Sequence, residues 1–335
     1  MNKLNILNEI SNDIDVNIGE FFNFSSMAPT AYSTFQIRKK SGGTREISQP
    51  AQWLKSVQYA IIQKLLEQLP IHYTATAYQK GKGIKQNAEA HINKTFILKT
   101  DFENFFPSIL QSDLELILKR NNIEINSFEY SVISRFLFKK KNDSNKLELC
   151  IGAPSSPMIS NVVMFEIDSL LSEKCNELDI SYTRYADDMT FSSDKYENVE
   201  FILEFLKQTI LKVESPQLIL NNKKTKIISK GRSQRVTGVI LSNDGRVSIG
   251  RNKRRRARTL LHLLELDKVD DKSLVELYSI VSFMRNIEPE FYEILKEKYG
   301  YNLFKKLYKK FSLLVEKHTD QSTGMKLKFK GFNVD

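Results

Sequence analysis

The sequence predicts an α+β fold: a small mixed region, a central part of strands and helices, and a helical region after it. Three observations carry this. Strand-forming runs gather between residues 95 and 249, whereas from 252 to 317 the apolar residues recur at helical spacing. Residues 180–193 read as a hairpin with Tyr185-Ala186-Asp187-Asp188 at its tip, a polar pair splitting two β-prone segments. At 335 residues and 41% hydrophobic content, the chain can bury one large core or two to three smaller ones.

In chain order, Leu4–Ile14 is expected to be a short helix and the stretch up to Pro29 a loop. Phe35-Gln36-Ile37 and Arg45-Glu46-Ile47 read as strands around a basic, Gly-centred turn, Lys39-Lys40-Ser41-Gly42-Gly43. Trp53, Leu54, Val57, Ile61, Leu65 and Leu66 mark a helix over 51–69 that stops before Pro70. Thr95–Thr100 is a strand ending at Asp101. Helices follow over 111–120 and 126–138, then a polar loop at 139–143. Gly152-Ala-Pro-Ser-Ser-Pro157 opens a helix over 158–177, and a further helix covers 197–213. Short strands are expected at 218–220, 226–228, 236–241 and 246–249, with a polar, Lys-rich tail from 318.

Chemistry concentrates on the acids. If the strand ending at Asp101 neighbours the hairpin, its carboxylate converges with Asp187 and Asp188. Such a cluster repels itself unless cations bind, and its hard oxygens suit two Mg²⁺ about 4 Å apart. Those ions would activate a hydroxyl and steady a leaving pyrophosphate. Phe102, Phe105 and Phe106 flank the first acid. Core packing accounts for one or two of them, and an aromatic five residues past the ligand could lie under an incoming sugar and exclude a 2′-hydroxyl. Arg251-Asn-Lys-Arg-Arg-Arg-Ala-Arg258 places six basic residues in eight, a run suited to tracking phosphates.

Composition bounds the partners. A net charge of +10 favours an anionic partner. No apolar run is long enough for a bilayer, and the opening Met-Asn-Lys-Leu-Asn lacks the layout of a secretion signal. Two cysteines, Cys150 and Cys175, are too few for a disulfide framework or a zinc site. No membrane partner and a reducing cytoplasm are therefore expected.

Asp101 with Phe106, the Gly152–Pro157 loop and Tyr185-Ala-Asp-Asp188 stand in the order and spacing of the palm motifs of reverse transcriptases. Within that superfamily the chain resembles the retron enzymes of bacteria, because Asn87-Ala-Glu-Ala-His91 is similar to their NAxxH segment and Val236-Thr237-Gly238 to their VTG segment. The likeness runs from about residue 32 to 290. It implies a right-hand polymerase: N-terminal region and fingers over 1–95, an antiparallel-sheet palm with fingers insertions over 96–240, a helical thumb over 241–317, and a tail over 318–335.

The resemblance further implies Asp101, Asp187 and Asp188 as catalytic metal ligands for two Mg²⁺. Arg45, Lys40, Phe102, Phe106 and Gly152 would contact the nucleotide. Lys223 or Lys224 would protonate pyrophosphate, and the sequence leaves that choice open. Asn87, His91, Val236, Thr237, Gly238, Arg254, Arg255 and Arg258 would bind RNA, although His91, beside alanines on a helix, reads by itself as a packed residue. The family usually has Gln before the loop glycine, where this chain has Ile151.

The implied activity is DNA synthesis from dNTPs on a cognate structured noncoding RNA, primed by the 2′-hydroxyl of an internal guanosine. Its product is branched multicopy single-stranded DNA, made with an effector protein in antiviral defence. A thumb ending near 317 leaves no room for a ribonuclease H domain, so a host enzyme would remove the template. Two rivals are a group II intron-like or diversity-generating reverse transcriptase, both opposed by NAxxH and VTG, and an RNA scaffold without catalysis, opposed by the presence of all three acids and Phe106.

Overall fold

The computed structural model describes residues 5–39, 42–141, 144 and 146–322. The chain divides into two compact units, Met1–Thr237 and Gly238–Asp335.

The first unit opens with α1 (Asn5–Asp13) and α2 (Ile18–Met27). The second of these falls where the sequence reads as loop. Its start is written in Asn17, whose side chain accepts a hydrogen bond from the Glu20 amide at 2.9 Å and so satisfies an otherwise orphaned donor. Phe21 then buries completely against Phe136, with ring centroids 4.7 Å apart.

Strands β1 (Tyr32–Arg38) and β2 (Thr44–Pro50) pair antiparallel from Tyr32↔Pro50 to Arg38↔Thr44. Gly42 and Gly43 sit at φ 90° and 77°, a left-handed region that lets the turn close. Lys40 and Ser41 lie outside the described residues. Helix α3 (Gln52–Lys64) packs on α1, and the short α4 (Ile84–Glu89) precedes β3 (Phe96–Thr100). After α5 (Phe105–Ser108) come α6 (Gln111–Arg120) and α7 (Ser127–Leu137). Part of the expected polar loop forms a small ladder, β4 (Lys139–Lys140) with β5 (Leu147–Glu148).

The expected helix over 158–177 is two helices, α8 (Ser156–Val163) and α9 (Phe165–Glu177). Met164 breaks them at ψ −3° and is itself fully buried. Hydrophobic spacing continues across the break, so periodicity does not reveal it.

Strands β6 (Ser181–Tyr185) and β7 (Asp188–Ser193) form the central hairpin, followed by α10 (Tyr196–Lys212), β8 (Lys226–Ser229) and β9 (Arg235–Val236). With β3 they make a four-stranded sheet in the order β6-β7-β3-β8, every pair antiparallel. Tyr182, Arg184, Met189 and Phe191 share one face by alternation and lie toward α9 and α10. There Met189, Phe191, Ile167, Leu171, Val199, Ile202 and Leu206 are all 0% exposed. Each such side chain contributes roughly 1.5–3 kcal/mol, so this layer holds the sheet rigid. Of the expected strand at 218–220, only a bridge from Leu220 to Phe102 forms.

The second unit begins with β10 (Val239–Leu241) and β11 (Val247–Ser248), paired through Ile240↔Ser248 and Leu241↔Val247. The expected strand over 236–241 is interrupted because Thr237 and Gly238 adopt φ 45° and 85°. Four helices follow: α11 (Arg251–Glu265), α12 (Asp271–Ile287), α13 (Pro289–Tyr299) and α14 (Tyr301–Ser322). Helix α12 contacts the other three, and Leu260, Leu261, Leu264, Leu277, Val281, Met284 and Leu307 are fully buried. The last helix extends past 317; residues beyond 322 lie outside the described set. Among the described residues no helix is long and apolar enough to cross a membrane.

Candidate active site

The sheet register brings the acids together. β6 and β7 close on the pair Tyr185↔Asp188, leaving Ala186 and Asp187 as the turn, with Ala186 at φ 56°. The last pair between β3 and β7 is Thr100↔Met189. One step beyond it, Asp101 comes opposite Asp188. The three carboxylates therefore meet at one end of the sheet, and their electrostatics record it. Burial, then the Asp187 charge, pushes Asp188 up to about 6, with Lys99 opposing. Burial and the Asp101 charge likewise raise Asp187, against the pull of Lys224 and Arg45.

Asp101 is 6% exposed, and the Lys224 ammonium donates to both its oxygens at 2.8 and 2.7 Å. The turn holding that lysine is anchored to the same residue, because the Asn221 amide donates to the Asp101 carbonyl at 2.8 Å. Between the two candidate lysines, the structure brings Lys224 to the acids.

A cavity of about 770 Å³ opens over this cluster, lined among others by Arg45, Tyr78, Phe106, Gly152, Asp187 and Lys224. Phe102 is 2% exposed, stacks on Phe105 at 5.7 Å, and with it contributes to the cavity lining. Asn104, at φ 49°, turns the chain into α5 and leaves Phe106 half-buried on the cavity wall. Gly152 has φ 122°, and a Cβ there would meet the Ser48 carbonyl at 2.7 Å. Its close approach is therefore to β2, where the Ser48 amide also donates to the Ile151 carbonyl at 2.8 Å. Arg45 projects from β2 into the same cavity, while Lys40 is outside the described residues.

Two groups escaped the sequence reading. Tyr78 lines the cavity at 51% exposure with φ 59°, and burial and the Asp187 charge raise its hydroxyl. Its flanking residues give no period or motif to mark it. Arg184 is fully buried: its Nε and Nη2 donate to Asp168 at 2.9 and 2.6 Å, and its Nη1 to the Ala186 carbonyl at 3.1 Å. Its place next to the acid pair was the available signal.

Of the eight expected RNA-contacting residues, Asn87, His91 and Val236 are buried, and Gly238, Arg255 and Arg258 are exposed. Asn87 is 1% exposed, and its Nδ2 donates to Thr237 Oγ1 at 3.3 Å. His91 is 0% exposed with both ring nitrogens bonded, to Ser192 at 2.7 Å and Thr183 at 2.8 Å. Burial lowers its ring to about 3. Neither side chain is presented to a ligand. Val236 is buried, Thr237 half-buried, and Gly238 begins the second unit. On α11, Arg254 is tied to Glu288 at 2.9 and 2.6 Å and lies over Phe291, an arrangement internal to that unit. Arg255 and Arg258 remain exposed, the latter also over Phe291.

The family model described as reverse transcriptase (RNA-dependent DNA polymerase) matches residues 37–241. The chain belongs to the reverse transcriptases and is an RNA-directed DNA polymerase, so RNA and DNA are its partners. It is 36% identical to the Retron Ec83 reverse transcriptase of Escherichia coli, over 86% of this chain and 92% of that one. It is 34% identical to the Retron Ec73 enzyme of the same organism, over 81% and 88%. With the Retron Ec86 enzyme, also from Escherichia coli, identity is 30% over 81% and 83%. These relatives make it a retron-type reverse transcriptase.

Such enzymes generally use divalent metal ions. Among the described residues, no three His, Cys, Asp or Glu side chains stand as a ready-made ion cage. The donor chemistry nonetheless fits: crowded carboxylates with raised proton affinity call for positive charge, and the Lys224 ammonium already supplies one at Asp101.

Proposed function

We propose that this enzyme reverse-transcribes its own structured noncoding RNA from dNTPs, starting at the 2′-hydroxyl of an internal guanosine, to give branched multicopy single-stranded DNA. The observation supporting the catalytic part is the register that brings Asp101 opposite Asp188 beneath a cation-rimmed cavity. Two Mg²⁺ held by Asp101, Asp187 and Asp188 would neutralise the charge spread over the transferred phosphoryl group.

The chain's own residues do the rest. Arg45 draws in the triphosphate from the cavity rim, and Lys40 assists it. Phe106 lies under the sugar and leaves no space for a 2′-hydroxyl, and Gly152 sets the loop against β2 beside the nucleotide. Lys224 passes a proton to the departing pyrophosphate. Residues 1–95, 96–240 and 241–317 act as fingers, palm and thumb. Arg255 and Arg258 touch phosphates of the template–primer.

The names of the relatives support the retron part of the proposal. In it the enzyme works in the cytoplasm alongside an effector protein in anti-phage defence, and host ribonuclease H trims the template. Expressing the chain with its flanking DNA tests it: a short DNA joined to RNA through a 2′-linkage is expected. Polymerase activity without any such product contradicts the retron part while leaving the polymerase intact.

A further inference from the structure

The catalytic hairpin is gripped on three sides. On the face toward α9 and α10, Asp168 holds Arg184, which in turn holds the Ala186 carbonyl next to Asp187. On the opposite face lie Tyr185, Asp188, Thr183, Thr190 and Ser192 by strand alternation. There His91 reaches Thr183 on β6 and Ser192 on β7, pinning the two strands to each other behind the Asp188 carboxylate.

Along the free edge of β6, residues 74–76 run parallel to it. The Thr76 amide donates to the Arg184 carbonyl at 2.8 Å and the Arg184 amide to the Thr74 carbonyl at 2.9 Å. The Thr76 hydroxyl lies 3.0 Å from that same carbonyl and 2.9 Å from Asn87 Oδ1, and Asn87 continues to Thr237.

We infer that Thr76, Asn87 and His91 are positioning residues of the polymerase, fixing the hairpin that presents Asp187 and Asp188, and are not contacts to RNA. The inference rests on the polymerase reading of the acid cluster. Each side chain is 5% exposed or less; His91 bonds the hairpin through both ring nitrogens, Thr76 bonds the Arg184 carbonyl, and Asn87 holds Thr76 and reaches Thr237. A neutral imidazole suits this task because it offers one donor and one acceptor to two hydroxyls that can answer either way. Catalytic geometry tolerates little drift, and a displacement of about 1 Å costs about a hundredfold in rate. Loss of the brace therefore falls on turnover.

The test uses the purified full chain on poly(rA) primed with oligo(dT), with Mg²⁺ and dTTP. For His91→Leu, kcat is expected to fall roughly ten- to a hundredfold, with KM for dTTP and Kd for the primed poly(rA) unchanged. His91→Gln, whose amide again offers a donor and an acceptor, should recover most of the rate. Thr76→Val, an isostere without the hydroxyl, should show the same split, and it decides the matter if His91→Leu does not fold. Unchanged kcat in the folded variants, or a loss that appears as weaker RNA binding with normal turnover at saturation, overturns the brace alone. A wild-type chain that incorporates no dTTP overturns the brace together with the polymerase reading.

Discussion

At the scale of single residues, Asp187 and Asp188 stand at the tip of a hairpin, where its strands close on the pair Tyr185↔Asp188. Their meeting with Asp101 follows from register, which no local pattern encodes. His91 shows the reverse: the family resemblance implied RNA, but the residue read by itself as packed, and 0% exposure with two hydroxyl partners makes it internal. Its pH behaviour follows. The folded ring is held at about 3 by burial, well below the unfolded value of about 6.5. Above pH 6.5 the neutral ring costs nothing; below it, the unfolded chain takes up a proton that the folded one refuses. Stability is thus lost from pH 6.5 downward until the folded value is reached. In urea unfolding, wild type should lose about 1 kcal/mol more than His91→Gln between pH 7.5 and 5.5; equal losses would contradict the assignment. Phe106→Ala should admit ribonucleotides, narrowing the dTTP-over-UTP preference by about tenfold or more, since each tenfold is only about 1.4 kcal/mol. An unchanged preference would remove Phe106 from the sugar site.

Elements were read well where apolar spacing was strong, as in α3, α10 and the central hairpin. They were misread where a backbone angle decided. Met164 divides one apparent helix, and Thr237 divides one apparent strand. Helix α2 was missed because Gly19, Ser25 and Ser26 are weak helix formers, although Asn17 and Glu20 signal its start. The buried Arg184–Asp168 pair is an element-scale lock joining α9 to the hairpin. Asp168→Ala strands a guanidinium in the core and should cost about 3–5 kcal/mol, read as a lower urea midpoint with an unchanged slope. A loss within error of zero would mean that water reaches the pair.

At the scale of the whole molecule, a net charge of +10 on an RNA-directed polymerase makes its affinity for primed RNA fall as salt rises. Replacing both Arg255 and Arg258 by alanine should lower the salt slope by about two. Arg254→Ala should act mainly on stability, because the buried Glu288 loses its counter-ion. The α+β class was readable from where strands stop and helices take over, whereas the pairing of two of the six basic residues, Arg254 and Arg256, was not, since charge patterning is blind to Glu288 and Glu276. The claim on which all else depends is that carboxylates far apart in the chain act at one point. Single-turnover dTTP incorporation by Asp101→Asn and Asp187→Asn on primed poly(rA) tests it most directly. Both variants should bind the RNA as wild type does and extend no primer; extension at the wild-type rate by either one would contradict it.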